Sequence, residues 1–181
     1  MKSRLVMDEK GIERATARIA HEILERNRGT EGLVILGIPT RGYGIALRLQ
    51  SIIEVIEGVR LPAGAVDATL YRDDLGIKKE QPFLKKMEIP IAIDGKTIVL
   101  VDDVLFTGRT IRAALDALID YGRPMRVQVA VLVDRDHREL PICSQFVGIS
   151  LETSPEEQVN VLLAEKDGVD KVVVEGPTGQ R

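Results

Sequence analysis

The chain has 181 residues, a formal net charge of −3, and 44% hydrophobic and 29% charged residues, which is ordinary for a globular protein with a packed core. Its longest apolar runs are much shorter than the roughly 20 residues of a membrane-spanning helix, and its first ten residues lack the apolar stretch of a signal peptide. One cysteine and two histidines exclude an internal disulfide and are too few for a structural zinc site. We therefore expect one domain, residues 1–181, in the cytoplasm and with no membrane partner.

Apolar periodicity predicts strands that alternate with helices along the chain. Helical spacing predicts three helices, each followed by a glycine, at residues 12–24, 45–56 and 111–119. Short apolar runs predict strands at 33–38, 66–71, 97–104, 127–133, 146–151, 159–163 and 171–174. Residues 72–90 are dense in charge and lack periodicity, which predicts a long exposed loop or hairpin. The alternation predicts an α/β fold with a central parallel sheet flanked by helices, and ligands bind such sheets beyond the carboxyl ends of the strands.

The strand predicted at 97–104 runs into two adjacent acids, Asp102 and Asp103, within the sequence T-I-V-L-V-D-D-V-L-F-T-G-R-T. A turn or a helix cap explains one carboxylate, but two repel each other and are unfavourable to bury without partners. Residues 107–110 then place hydroxyls, a glycine and a cation where a helix begins, and a helix N-terminus attracts phosphate. Two vicinal ribose hydroxyls on the acids, with the phosphate in the loop, would satisfy the whole segment. The pattern predicts a sugar-phosphate site.

Two other phosphate-binding motifs are incomplete in this chain. Residues 37–42 have the glycine spacing of a P-loop, but Tyr43 and Gly44 occupy the positions of its lysine and hydroxyl residue. Gly42 and Gly44 begin a dinucleotide-binding pattern whose third glycine is replaced by Leu47. Neither nucleotide motif is therefore predicted.

The segment V-L-V-D-D-V-L-F-T-G-R-T resembles the signature with which type I phosphoribosyltransferases bind phosphoribosyl pyrophosphate (PRPP). The segments G-I-P-T-R-G, T-L-Y-R-D-D-L, G-R-P and L-V-D-R-D-H-R-E-L-P-I resemble one branch, the bifunctional pyrimidine operon attenuators and uracil phosphoribosyltransferases. The resemblance spans most of the chain. It implies the type I phosphoribosyltransferase fold, with a flexible loop at residues 71–90 and a small C-terminal hood, and the reaction of uracil and PRPP to UMP and pyrophosphate.

The resemblance also implies roles for individual residues. Asp102 and Asp103 would hold the ribose hydroxyls, and Thr40 and Arg41 would hold pyrophosphate, to which Arg41 offers a fork of donors. The loop around the 5′-phosphate would consist of Val104, Leu105, Phe106, Thr107, Gly108, Arg109 and Thr110. Arg135 would lie near the nucleotide, with the base under a hood that contains Val159. Mg²⁺ would bind mainly to PRPP, with the two acids as an outer shell.

The same branch binds the leader mRNA of the pyrimidine operon and attenuates its transcription in response to UMP. Arg14, Arg18 and His21 lie on one face of the first predicted helix, and Arg138 adds positive charge after a strand. Glutamates interleave on that helix, so an ordinary solvated face is the alternative interpretation. The chain has Cys143 and Ile149 where the family usually has basic residues, and Asp136 where it usually has glycine. Because phosphate neutralisation controls RNA affinity, these changes weaken the predicted interface. A homo-oligomer is expected.

The sequence is consistent with two other functions. The chain could be a PRPP-sensing regulator with little catalysis, or a phosphoribosyltransferase for another base such as hypoxanthine or orotate. The acid pair does not distinguish them, because it recognises the sugar.

Overall fold

The computed structural model describes residues 2–68, 89 and 91–176, so most of the loop predicted at 71–90 lies outside the described residues. The helices and strands are, in chain order, β1 (Lys2–Met7), α1 (Glu9–Asn27), β2 (Leu33–Gly37), α2 (Arg41–Glu57), β3 (Ala63–Ala65), β4 (Thr97–Leu105), α3 (Arg109–Ile119), β5 (Arg126–Arg135), β6 (Phe146–Leu151), β7 (Gln158–Leu162), α4 (Ala164–Asp167) and β8 (Lys171–Gly176). The three predicted long helices are confirmed as α1, α2 and α3. Among the described residues, no helix has the length and apolarity needed to span a membrane.

The central sheet contains five parallel strands in the order β3-β2-β4-β5-β6. Successive side chains along each buried strand point to opposite faces of the sheet. Ile35, Val99 and Leu132 pack with α1 and α2, whereas Leu36, Leu100 and Val131 pack with α3 on the other face. The predicted α/β architecture, with helices on both faces of a parallel sheet, is confirmed.

The strand order reverses between β2 and β4, and this reversal creates the crevice in which open α/β sheets bind ligands. The chain passes from β2 to β3 on one side, and β4 then pairs with β2 on the other. The pairing of β2 with β4 ends at Gly37 and Val101. β4 continues to Leu105. Asp102 and Asp103 therefore lie just beyond the last residue of β4 that pairs with β2, at the mouth of the crevice.

The expected hood is a separate three-stranded antiparallel sheet in the order β1-β8-β7. The sequence did not indicate β1, because Lys2–Met7 shows no clear alternation and its pairing partner, β8, lies at the other end of the chain. The strand predicted at 66–71 is wrong over its described part. The strand forms instead at Ala63–Ala65, where it pairs with Ile35–Gly37, and the buried Val66 and Ala68 follow it outside any strand.

Candidate active site

The two acids at the end of β4 are held by the backbone that follows them. The amide of Asp103 donates to Asp102 Oδ1, and the amide of Val104 donates to Asp103 Oδ1, each at 2.9 Å. Asp102 is only 6% exposed, whereas Asp103 is half-buried. These local bonds orient both carboxylates at the crevice, where they can accept hydrogen bonds from a ligand.

We call residues 104–110, which comprise the end of β4, the loop after it and the start of α3, the phosphate loop. It forms most of the wall of a cavity of about 550 Å³. The lining residues are Asp102, Val104, Leu105, Phe106, Thr107, Gly108, Arg109, Thr110, Ile111 and Glu139. All seven residues that the resemblance placed around the 5′-phosphate therefore lie on one cavity, together with one of the two acids.

The phosphate loop ends at the N-terminus of α3, which no side chain caps in the described part of the chain. Gly108 is the N-cap residue and has a left-handed backbone with φ of 93°, a conformation that favours glycine. The Thr107 hydroxyl accepts only a long bond of 3.3 Å from the amide of Arg109. The N–H groups and the positive end of the helix dipole therefore face the cavity, which suits an anion.

Glu139 belongs to this cavity although its sequence pattern did not indicate it. Its Oε2 accepts from Arg109 Nε at 2.6 Å, so a carboxylate partly neutralises the cation of the phosphate loop. The amides of Glu139 and Leu140 also donate to the Thr107 carbonyl at 3.0 and 3.3 Å. The segment after β5 thus forms the outer wall of the phosphate loop. Only the tertiary structure brings these residues together, since about thirty positions separate them.

The turn that enters α2 packs closely against the acid pair at Gly42 and against the end of β2 at Gly37. A Cβ on Gly42 would lie 2.5 Å from the Val101 carbonyl oxygen and 3.0 Å from Asp102 Cα. A Cβ on Gly37 would lie 2.3 Å from Tyr43 Cα. The Pro39–Thr40 peptide bond is cis, and Thr40 is exposed at the start of α2. The predicted pyrophosphate turn therefore lies directly beside the end of β4.

Arg41 is joined to the short helix α4. Its Nε and Nη2 donate to the two oxygens of Asp167 at 3.2 and 3.0 Å. Asp167 Oδ2 also accepts from the Leu163 amide at 2.9 Å. The Arg41 guanidinium, helped by that amide, lowers the pKa of the Asp167 carboxyl below its usual value. The fork expected to bind pyrophosphate is thus directed at a carboxylate in this structure.

A second arginine of α2 makes more and shorter hydrogen bonds to the same region. Arg48 donates two hydrogen bonds to Glu165 and two to Asp170, all between 2.7 and 2.8 Å. These bonds raise the pKa of Arg48 and lower the pKa of both carboxyls. Together, Arg41 and Arg48 connect the entrance of the crevice to the segment between β7 and β8.

Arg135 lies at the end of β5 and is only 4% exposed. Its guanidinium stacks over Phe106 of the phosphate loop, with Cζ 4.0 Å from the ring centre, and donates to the carbonyls of Ser154 and Glu157 at 3.0 and 2.9 Å. Burial lowers its pKa, and the Glu157 carboxylate opposes that shift. Arg135 therefore connects the phosphate loop to the segment before β7. Val159 is half-buried in β7, paired with Val174.

The residues predicted for RNA binding occupy two places. Arg14 and Arg18 line a second cavity of about 510 Å³, between α1, the end of β1 and β6, and Ile149 lies in the same cavity. Arg18 donates to the Val147 and Gly148 carbonyls at 3.1 and 2.5 Å and pairs with Glu22. His21 is exposed on α1. Arg138 is instead bonded to the phosphate loop, so its guanidinium is already occupied.

Comparison with known proteins identifies the class to which this fold and site belong. The family model described as "Phosphoribosyl transferase domain" matches residues 6–165. The chain belongs to the phosphoribosyltransferase family.

Its similarity to individual proteins is more specific. It is 55% identical over 178 residues to "Bifunctional protein PyrR" of Halalkalibacterium halodurans, covering 97% of this chain and 99% of that protein. It is 58% identical over 170 residues to the protein of the same name from Brevibacillus brevis, covering 94% of this chain and 95% of that one. The resemblance to the bifunctional branch that the motifs indicated is confirmed.

Solved structures share the fold at much lower identity. A hypoxanthine-guanine phosphoribosyltransferase of Leishmania tarentolae, solved in complex with GMP, has a TM-score of 0.71 at 15% identity and covers 94% of this chain and 95% of its own. A hypoxanthine-guanine phosphoribosyltransferase of Bacillus anthracis has a TM-score of 0.68 at 16% identity, covering 98% of this chain and all of its own. These structures confirm the type I phosphoribosyltransferase fold.

Proposed function

We propose that the chain transfers the phosphoribosyl group of PRPP to N1 of uracil, forming UMP and pyrophosphate, and that it regulates the pyrimidine operon by binding the leader mRNA when UMP is bound. The observation that supports transfer most directly is one cavity lined by Asp102 and the whole phosphate loop, at the reversal of strand order. We propose that the protein acts in the cytoplasm, on a nascent transcript, and that it forms a homo-oligomer.

The proposed mechanism relies on positioning and electrostatics. As the bond from ribose C1 to pyrophosphate breaks and uracil N1 approaches, positive charge develops on the ribose ring. Asp102 and Asp103 accept hydrogen bonds from the ribose hydroxyls and stabilise that charge, while the uncapped N-terminus of α3 and Arg109 hold the 5′-phosphate. The pyrophosphate leaves towards Thr40 and Arg41, beside the end of β4.

Mg²⁺ is used with PRPP by phosphoribosyltransferases, and the acids of this site fit it. Asp102 and Asp103 offer hard carboxylate oxygens at the crevice, and Mg²⁺ prefers oxygen ligands and retains several waters. Among the described residues, no group of three or more His, Cys, Asp or Glu side chains could hold a metal ion. As the resemblance implies, the two acids would form an outer shell around a cation bound mainly by PRPP, where Mg²⁺ would neutralise phosphate charge.

The base would be recognised by backbone groups near Val159. In the described part of the chain, β7 is one of the two edge strands of the hood sheet, since it pairs only with β8. It also contacts β4, which bears the acids. The unpaired N–H and C=O groups of an edge strand can bond the amide-like edge of a pyrimidine.

Release of pyrophosphate from PRPP, measured separately with uracil, hypoxanthine, guanine and orotate, tests the transfer activity. Uracil is expected to support release, and the other bases are not. Release with another base would establish that base as the substrate. PRPP binding without release for any base would indicate a PRPP-sensing regulator.

Arg41→Ala is expected to weaken pyrophosphate binding by roughly ten- to a hundredfold and uracil binding much less. The guanidinium addresses the diphosphate, and hydrogen bonds to charged groups contribute about 1.5–3 kcal/mol. Calorimetry with pyrophosphate measures the loss. Asp167→Asn is the matched variant. It removes the carboxylate that holds Arg41, so pyrophosphate should bind at least as tightly as to the wild type. Unchanged pyrophosphate affinity in Arg41→Ala would indicate that this turn has only a structural role.

Replacing both Arg18 and His21 by alanine is expected to lower RNA affinity and to leave uracil transfer unchanged. Both residues lie on the exposed face of α1, away from the cavity at the ends of the strands. The slope of log affinity against log salt should fall by roughly 0.7 to 0.9 for each RNA phosphate that the variant no longer neutralises. Filter binding of leader RNA, with and without UMP, measures both quantities. Arg60→Ala, which removes an exposed cation paired with Glu54, is the control.

UMP should tighten RNA binding, and RNA should tighten UMP binding by the same factor, because coupling between two sites is reciprocal. Absence of leader-specific binding at moderate salt would show that the absence of basic side chains at Cys143 and Ile149 is decisive and would leave the chain an enzyme without the regulatory activity.

Asp136 adds a negative charge to that region but needs no left-handed backbone. In the described part of the chain, the residues other than glycine with positive φ are Arg28 and His137.

A further inference from the structure

Arg138 makes an extensive set of hydrogen bonds to other residues of the chain. Its guanidinium donates to five acceptors, which are the carbonyls of Leu105 (3.5 Å), Phe106 (2.7 Å), Arg135 (2.7 Å) and Ile142 (3.1 Å) and the carboxylate of Asp134. Asp134 is itself fixed by the Ser144 hydroxyl at 2.8 Å. The side chain is only 24% exposed. A guanidinium engaged in this way is a structural connector and has little capacity left for RNA phosphate.

Two of the five acceptors belong to the phosphate loop, and other contacts join the same two segments. The amides of Glu139 and Leu140 donate to the Thr107 carbonyl, and the Glu139 carboxylate accepts from Arg109. Leu140 and Ile142 lie against Gly108, close enough to touch a Cβ placed there at 3.4–3.6 Å. Residues 138–142 therefore contact the phosphate loop from Leu105 to Arg109. We call them the bracket.

We propose that Arg138 is a positioning residue, which fixes the phosphate loop through its backbone carbonyls, and that the bracket couples occupancy of the nucleotide cavity to the RNA-binding state. This inference rests on the proposed function. Binding of a nucleotide phosphate orders the loop, and the loop can order the bracket because they share these hydrogen bonds. The bracket leads into β6, whose Val147 and Gly148 carbonyls accept from Arg18 of α1. These contacts, together with the three residues that separate the bracket from β6, join the cavity to the basic face of α1.

Arg138→Lys distinguishes positioning from direct contact with RNA. Lysine retains a positive charge that suits a phosphate, but its single ammonium group cannot bond acceptors spread around a planar fork. We expect UMP to bind Arg138→Lys and Arg138→Gln at least about tenfold more weakly than the wild type, since several charge-assisted bonds are removed. The KM for PRPP should rise as UMP affinity falls. RNA affinity without UMP and its salt dependence should stay close to those of the wild type, and the tightening by UMP should require more UMP. Arg60→Gln is the charge-loss control and should leave UMP binding unchanged.

A measurement on the wild-type protein covers the case in which the variants do not fold. Hydrogen exchange of residues 138–142, followed with and without UMP, should slow severalfold when UMP binds, because the amides of Glu139 and Leu140 are bonded to the phosphate loop. Wild-type UMP affinity in Arg138→Lys overturns the proposal. A salt slope lower by roughly 0.7 to 0.9 in Arg138→Gln, or exchange in the bracket that is insensitive to UMP, overturns it too. A wild-type protein that binds no UMP refutes the proposed function instead, so the two failures are distinguishable.

Discussion

Asp103→Asn should abolish most phosphoribosyl transfer while the protein stays folded. The variant keeps the shape of the side chain and loses the negative charge that would stabilise the developing positive charge on ribose. Loss of one preorganised electrostatic group typically lowers kcat by about 10²–10³-fold. We expect a loss of at least that size in kcat, with a smaller change in the KM for uracil, because the base would contact the hood.

Stability should be little affected, because the bond that Asp103 makes within the chain survives the change. Its Oδ1 accepts from the Val104 amide, and an amide oxygen accepts in the same way. Steady-state pyrophosphate release and urea unfolding measure the two effects separately. Asp116→Asn, which removes a carboxylate paired with Arg112 on the surface of α3, should be close to wild type in both. Turnover at the wild-type rate in Asp103→Asn would contradict the proposal that this acid binds the ribose.

Gly42→Ala should damage both stability and transfer, although alanine is the better helix former. The new Cβ would lie 2.5 Å from the Val101 carbonyl oxygen and 3.0 Å from Asp102 Cα. Both are backbone atoms of the central strand, so no side-chain movement can relieve the contact. The start of α2 must move away from β4, or the end of β4 must shift and move Asp102 with it. Overpacking of this kind typically costs about 1–3 kcal/mol, and a shift of about 1 Å in a catalytic group can lower the rate about a hundredfold.

Gly44→Ala is a closely matched control, two residues further along the same helix. Among the described residues its Cβ would meet only Leu163 Cδ1, at 3.2 Å, the end of a side chain that has to move by a few tenths of an ångström and not a backbone atom. Because alanine stabilises a helix interior relative to glycine by about 0.5–1 kcal/mol, this variant should be as stable as the wild type or slightly more stable. Urea unfolding and PRPP-dependent pyrophosphate release compare the pair. Equal stability and activity of the two variants would mean that α2 and β4 tolerate separation.

Much of the architecture could be predicted because the elements of the central sheet follow local rules. Each buried strand is a short apolar run, and each long helix has its apolar residues at helical spacing, so both signals survive in a single sequence. The acid pair could be predicted for a related reason. Asp102 and Asp103 are adjacent in the chain, and the phosphate loop follows them directly. This continuous segment leaves a recognisable pattern in the sequence, whereas the distant Glu139 of the same cavity leaves none.

Elements whose stability depends on distant partners could not be placed in this way. The strand β1 has a weak local pattern and pairs with β8 at the opposite end of the chain. The strand β3 forms at Ala63–Ala65, where pairing with β2 is available, and Val66 and Ala68, which follow it, lie outside any strand. In both cases tertiary pairing outweighs local propensity.

The sequence by itself determined the fold class, the phosphoribosyltransferase family and the position of the sugar-phosphate motif, because these depend on residues that are near one another in the chain. Only the tertiary structure decided which partners the charged side chains have. The sequence predicted Arg41 for pyrophosphate and Arg138 for RNA, and both remain predictions; the structure adds that their guanidinium groups bond Asp167 and the phosphate loop. The physical reason is that a charge pattern gives the number and sign of the charges. The partner of each charge depends on which distant segments the fold brings within about 3 Å of it.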